Sequence, residues 1–133
     1  MKALLCSLLP LFIVGCSTSP VSVDQASPVS ASRVFAFQEK KDSQLVVTRD
    51  GGIVGSELRF ILHIDGKPAA EFHPGEVAKF GLAPGKHVLG LGTWVLFGKS
   101  DIIESEIDIK PGETVRRRIS IRSGDYYLTP TAY

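Results

Sequence analysis

Along most of this chain, apolar and polar residues alternate with a period of two. Leu58, Phe60, Leu62 and Ile64 fall on one side of the segment from 58 to 64. Ile103, Ile107 and Ile109 interleave with Glu104, Glu106 and Asp108, and Val115, Ile119 and Ile121 with Arg116, Arg118 and Arg122. Shorter apolar runs occupy Arg33 to Gln38, Gln44 to Thr48, Ala69 to Phe72, Val77 to Leu82 and His87 to Leu91, and Tyr126 to Thr129 closes the series. A period of two is the signature of a half-buried strand, and no segment keeps a 3.6-residue apolar repeat long enough for a helix.

The turns agree with strands. Asp65-Gly66 is a two-residue hairpin signal. Pro-Gly recurs at Pro74-Gly75, Pro84-Gly85 and Pro111-Gly112. There Pro presets φ at the first corner and Gly supplies a positive φ at the second. Side-chain parity tests what these turns join. A hairpin at Pro84-Gly85 sets Phe80 opposite Leu89 and Ala78 opposite Leu91, apolar against apolar, so a hairpin is expected there. The same closure at Pro111-Gly112 sets Asp108 opposite Val115 and Ile107 opposite Arg116, which a half-buried sheet resists. Those two strands are therefore expected to have a different loop length or to lie in opposite sheets. The pattern predicts an all-β fold: a single antiparallel β-sandwich, Ig-like or prealbumin-like, of about seven to nine short strands.

The N-terminus reads differently. Lys2 precedes an apolar run from Ala3 to Val14, followed by Gly15-Cys16. That is the order of a secretory signal peptide. The run is shorter than the roughly 20 apolar residues of a membrane-spanning helix. Ile13-Val14-Gly15-Cys16 resembles the bacterial lipobox. The resemblance implies a diacylglycerol thioether on Cys16, cleavage before it, and acylation of the new amine. Ser17, rather than Asp, follows Cys16, which implies the outer membrane and its periplasmic face. Two or three acyl chains form a stable anchor, at about 0.8 kcal/mol per buried methylene. The expected organisation is a signal peptide over 1–15, a lipidated N-terminus with a flexible tether over 16–32, and one sandwich domain over 33–133. The tether expectation rests on the Ser, Pro, Val and Ala content of Ser17 to Ser32.

Composition narrows the chemistry. Removal of Lys2 leaves basic and acidic residues balanced, unlike the strongly basic domains that bind nucleic acid. Cys6 leaves with the signal peptide and Cys16 carries lipid. No thiolate metal site, cysteine nucleophile or disulfide is then expected.

Ile64-Asp65-Gly66-Lys67, Leu82-Ala83-Pro84-Gly85-Lys86-His87-Val88-Leu89 and Ile109-Lys110-Pro111-Gly112-Glu113-Thr114 together resemble PEGA-type and carboxypeptidase-regulatory-like β-sandwich domains. In these an I-D-G hairpin precedes an L-x-P-G-x-H edge. Thr48 to Ser56 is similar to a segment of small bacterial lipoproteins grouped as a domain of unknown function. The resemblance runs from about Arg33 to the end at motif level, and implies a non-catalytic domain. The sequence departs from the PEGA pattern after Leu91, where Thr93-Trp94-Val95-Leu96-Phe97 replaces a Gly-aromatic turn.

Several residues are candidates for a site. The loop from Asp50 to Ser56 holds three glycines, flanked by Arg49. It is either an anion cradle of backbone N–H groups or a long connection needing positive φ. Trp94 to Phe97 is a partner patch if exposed and a core strand if buried. The Arg and Glu/Asp stripes are glycan- or protein-binding faces, or solvated faces that neutralise one another across strands. His63, His73 and His87 show no metal-ligand spacing, and no G-x-S-x-G elbow occurs. No enzyme activity, cofactor or metal is expected. The expected role is a membrane-anchored envelope lipoprotein acting as a structural or protein-interaction module. The alternative is a small-ligand or glycan module using Arg49 and Asp50 or Trp94 and Phe97.

Overall fold

A computed structural model describes residues 10, 16–95, 98, 99 and 101–133. The expected signal peptide, apart from Pro10, lies outside the described residues. So do Leu96 and Phe97.

The described residues form ten strands and one 3₁₀ turn. The strands are β1 (Ser27–Pro28), β2 (Gln44–Arg49), β3 (Phe60–Ile64), β4 (Lys67–Phe72), β5 (Glu76–Gly81), β6 (Gly85–Val95), β7 (Gly98–Lys99), β8 (Ile103–Ile109), β9 (Thr114–Arg122) and β10 (Asp125–Pro130). The first sheet runs β1-β5-β2-β9-β10. The second runs β4-β3-β6, with β8 and the short β7 both paired to β6. The inward residues of both sheets form one core, including Leu45, Val47, Phe80 and Ile119 from the first and Phe60, Leu62, Leu89 and Ile109 from the second. The architecture is all-β and consistent with a sandwich. Among the described residues no helix is long and apolar enough to cross a membrane.

The first sheet is mixed, which corrects the expectation of a purely antiparallel fold. β2 runs parallel to β9, and β1 parallel to β5. Both β2 and β9 start from the same end of the sandwich, where the Gln44 N–H bonds the Glu113 carbonyl. Strands that enter from one end and lie side by side are parallel.

Hairpins and crossovers use different turns. Asp65-Gly66 joins β3 to β4, and Ser123-Gly124 joins β9 to β10. Both residues of each pair have positive φ, the geometry whose twist matches paired strands. The three Pro-Gly turns all cross between sheets instead. β8 and β9 accordingly lie in opposite sheets, one of the two outcomes that parity allowed. The expected Pro84-Gly85 hairpin is absent: β5 and β6 are also in opposite sheets. Phe80 and Leu89 are both inward, so they meet through the core rather than along a ladder.

The motifs behind the family resemblance touch each other. In the I-D-G turn, Asp65 accepts from the Val88 N–H at 2.9 Å and pairs with His87 Nδ1 at 2.7 Å. The other His87 nitrogen donates to the Ala83 carbonyl at 2.7 Å. With oxygen acceptors on both sides, His87 favours the imidazolium. Burial lowers its pKa, but Asp65 and the Ala83 carbonyl outweigh that and raise it above 6.5. Burial likewise raises Asp65, while His87 and the Val88 N–H bring it net below 3.8.

Two expectations about the N-terminal part are corrected. Residues 17–32 are not a free tether but lie along the sandwich. Ser17 bridges to Arg122 and Ser19 to Gly51. Ser27–Pro28 extends the first sheet, and Val29 is buried in the core. Pro28, which has no N–H to give to a ladder, is tolerated because β1 is an edge strand. Arg33 to Gln38 is not a full strand. Ala31–Arg33 is a 3₁₀ turn and Val34 makes a single bridge to Ala70. Phe37, at φ 60°, turns the chain away. Arg33 straps this segment down with a two-point pair to Glu76, at 2.7 and 2.6 Å.

Three outcomes follow. Val29→Ala removes two buried methyl groups and should lower stability by about 1–2 kcal/mol in urea unfolding. The amides of Ser19, Ser27 and Val29 should exchange slowly with deuterium, whereas a free tether would exchange at random-coil rates. The His87–Asp65 pair should stabilise the fold across a defined window. The raised His87 contributes fully below about 6.5 and loses its contribution as pH rises through its folded pKa. The depressed Asp65 contributes fully above about 3.9 and loses it as pH falls through its own. The stability difference between wild type and His87→Gln, up to about 1 kcal/mol for so exposed a pair, should be larger at pH 5.5 than at pH 9.

Candidate functional site

Leu89 and Leu91 point inward from β6, so Gly90 and Gly92 lie on the outer face of the second sheet. Gly90 is covered by its neighbours, but at Gly92 the absence of a side chain leaves a trough. A Cβ at Gly90 would stand 2.9 Å from Ile102 Cγ2 and 3.5 Å from His63 Cβ. The floor and walls include Ile61, His63, Pro68, Glu71, Trp94 and Ile102, with Phe35 at the rim. The volume is about 130 Å³, close to the roughly 150 Å³ cavity that accepts a benzene ring.

Trp94 stands half-exposed beside this trough. Its backbone N–H bonds the Arg59 carbonyl, so the ring is carried on a fixed strand. Trp94, Phe35 and Ile102 are all substantially exposed. Clustered exposed apolar side chains of this kind mark contact sites. His63 Nδ1 is buried without a hydrogen-bond partner. An unmet polar atom in an apolar wall favours a ligand that supplies a donor or acceptor. Glu71 is held by His73 Nε2 at 3.3 Å.

Arg49 and Asp50 have another role. Strand parity puts Arg49 on the inward face with Leu45 and Val47, at the open end of the core. Its guanidinium donates to the Leu58 carbonyl at 2.6 Å, the Phe72 carbonyl at 2.8 Å and the Gly55 carbonyl at 2.8 Å. It also stacks 4.7 Å over the Phe60 ring. Burial lowers its pKa from 12.5 to about 10, still well above neutrality. Gly55 has φ +63°, and a Cβ there would meet Ile121 Cδ1 at 2.3 Å. The loop glycine therefore brings a carbonyl to Arg49 and is not part of an anion cradle. Asp50 is just as fully used. It receives Arg118 through Nε at 2.6 Å and Nη2 at 2.9 Å, and Thr18 Oγ1 at 2.6 Å. The Asp50 side chain is 1% exposed.

The charged stripes do not neutralise each other. Arg116, Arg118 and Arg122 belong to β9 in the first sheet; Glu104, Glu106 and Asp108 belong to β8 in the second. They face outward on opposite sides of the core. Glu106 pairs with Lys86 instead. The three histidines occupy separate places: His63 in the trough wall, His73 beside Glu71 and His87 at the Asp65 turn. Among the described residues no three metal-ligating side chains gather. Cys16 is exposed, and its carbonyl accepts from the Ser123 N–H at 3.1 Å.

The trough was not anticipated from the sequence. Its signal is the alternation Leu89-Gly90-Leu91-Gly92-Thr93-Trp94, in which glycine takes every outward position before an aromatic. The inward parity of Arg49 was also readable.

Arg49→Ala should lower stability by about 3–5 kcal/mol, since it strips one buried and two part-buried carbonyls of a charged donor. Arg49→Lys should recover only part, because one ammonium does not reproduce a planar fork. Urea unfolding measures both. A loss under about 1 kcal/mol for Arg49→Ala would contradict this role. Compared with protein-family models, curated proteins and solved structures, the chain matches none.

Proposed function

We propose that this chain is a non-catalytic bacterial envelope lipoprotein, lipid-anchored through Cys16 at the periplasmic face of the outer membrane. Its sandwich, of the Ig-like or prealbumin-like kind, serves as an interaction module, and the trough at Gly92 is its contact site. The lipobox-like Ile13-Val14-Gly15-Cys16 supports the anchor. The resemblance to PEGA-type domains supports a domain without catalysis. The observation that carries the contact site is the half-exposed Trp94 beside a concave apolar trough. Its volume suits one apolar side chain of a partner protein, the kind of pocket that anchors an interface. His87 has both ring nitrogens engaged, which leaves it no lone pair for a general base.

The small-ligand or glycan reading is kept alive by one observation. Phe35 and Trp94 both border the trough, and exposed rings can stack on a sugar face. Amide NMR titrations separate the two. N-acetyl-leucinamide and N-acetyl-tryptophanamide should shift the Gly92, Thr93 and Trp94 resonances, with Kd of about 10–100 mM, since burying one side chain is worth about 1.5–3 kcal/mol. Methyl glucoside should leave them unmoved. Gly92→Leu, which puts a side chain into the trough, should abolish the amide-probe shifts. Shifts with the sugar alone would favour the glycan reading, and no shifts with any probe would remove the trough as a site.

A further inference from the structure

Several features gather at one end of the sandwich. β2 ends there at Arg49, β9 ends at Arg122, and Cys16 lies beside the Ser123-Gly124 turn. The loop that follows β2 lies alongside. Ser19 and Gly51 exchange backbone hydrogen bonds at 3.0 and 2.9 Å, and the Thr18 N–H bonds the Ile121 carbonyl. The Thr18 hydroxyl donates to Asp50 and accepts from the Ile121 N–H at 3.0 Å. Two residues past Gly51, Ile53 is 90% exposed, the most exposed large apolar side chain among the described residues. The Asp65, Pro84 and Pro111 turns mark the opposite end.

The attachment has no slack. Sixteen free residues would let a domain wander by about 20–25 Å from its anchor. Here the first contact with the fold is made by Cys16 itself, and each of the next three residues adds another. Acyl chains on the Cys16 sulfur would therefore place the bilayer surface against this end.

We infer that the end of the sandwich carrying Cys16, the loop around Ile53 and the Ser123-Gly124 turn rests on the lipid bilayer, with Ile53 inserted at the headgroup boundary. This rests on the proposed lipid anchor. It goes beyond that anchor in fixing which way the domain faces. Charge does not drive the contact: Arg59 and Arg122 are exposed at this end, but so are Glu57, Asp101 and Asp125. Geometry and the apolar Ile53 do. Interfacial insertion buries apolar groups about 5–10 Å deep. In this orientation the Asp65 end points away from the membrane.

Tryptophan quenching tests the orientation. The lipidated chain is purified from bacterial membranes and its acyl groups on Cys16 are verified by mass spectrometry. It is then reconstituted in phosphatidylethanolamine–phosphatidylglycerol vesicles with brominated acyl chains. In a Trp94→Phe background, Ile53→Trp places a probe at the anchor end and Lys67→Trp one at the far end. Both variants are checked for native unfolding. The probe at 53 should be blue-shifted and quenched several-fold more than the probe at 67. Tryptophan has its own affinity for interfaces, so a third protein carries a Gly/Ser spacer of about ten residues between Cys16 and Ser17, roughly 17 Å of freedom. The spacer should bring quenching at 53 down toward that at 67. Acylated protein with equal quenching at both positions overturns the orientation and leaves the anchor standing. Quenching at 53 unchanged by the spacer also overturns it, because the probe rather than the attachment would then set the contact. Protein without acyl groups on Cys16 removes the anchor and the orientation with it.

Discussion

The end of the sandwich nearest Cys16 is organised by one buried cation. Arg49 reaches from β2 into the gap between the sheets and gathers carbonyls from Gly55, Leu58 and Phe72. An arginine in that position without partners would be strongly destabilising, because desolvation of a charge far exceeds a single hydrogen bond. Three carbonyls and the Phe60 ring offset that penalty. In return the cation dictates the path of everything that must bring a carbonyl to it. The long loop from 50 to 59 closes on Arg49, and the end of β4 is drawn to it. Asp50, the next residue, points the other way and binds Arg118 and Thr18. Consecutive residues of opposite parity thus seal the core and fasten the N-terminal segment to the outside.

Much of the fold was readable from the sequence, for a physical reason. Strand parity reflects which side of each strand meets the core, and turn chemistry depends on local φ. Asp65-Gly66 and β3 follow from those two facts, while for β8 and β9 parity excluded a tight hairpin and left separate sheets as one of two outcomes. The Pro84-Gly85 connection shows where parity stops. Two amphipathic strands match whether they pair edge to edge or face each other across a core. Residues 17–32 escaped because their binding is mostly by backbone and by one hydroxyl, which leaves no hydrophobic period. Arg49 and Asp50 looked functional because a charged pair beside glycines resembles a binding loop. Only the tertiary fold reveals that their hydrogen-bonding capacity is already spent.

The trough arises from an opposite economy of side chains. Glycine at outward positions of β6 leaves a sheet face incompletely covered, and Trp94, Ile102 and Phe35 border the gap. The glycines weaken the strand locally, but large inward neighbours keep it in the core. On the reading proposed above, the molecule divides its work. One end fixes the domain to a membrane, while a lateral face offers an apolar recess to a partner. Neither task needs a reactive group.

The central claim is that the chain following Cys16 is part of the fold rather than a leash. Paired spin labels test it most directly. A chain beginning at Cys16 without lipid carries one native thiol, and Lys67→Cys at the far end supplies the second. Pulsed electron resonance between the two labels should give one narrow distance distribution, which broadens when Thr18→Val and Asp50→Asn remove the outer fastening. A broad distribution in the chain with Thr18 and Asp50 intact would contradict the account, because it would mean that Cys16 moves freely of the sandwich.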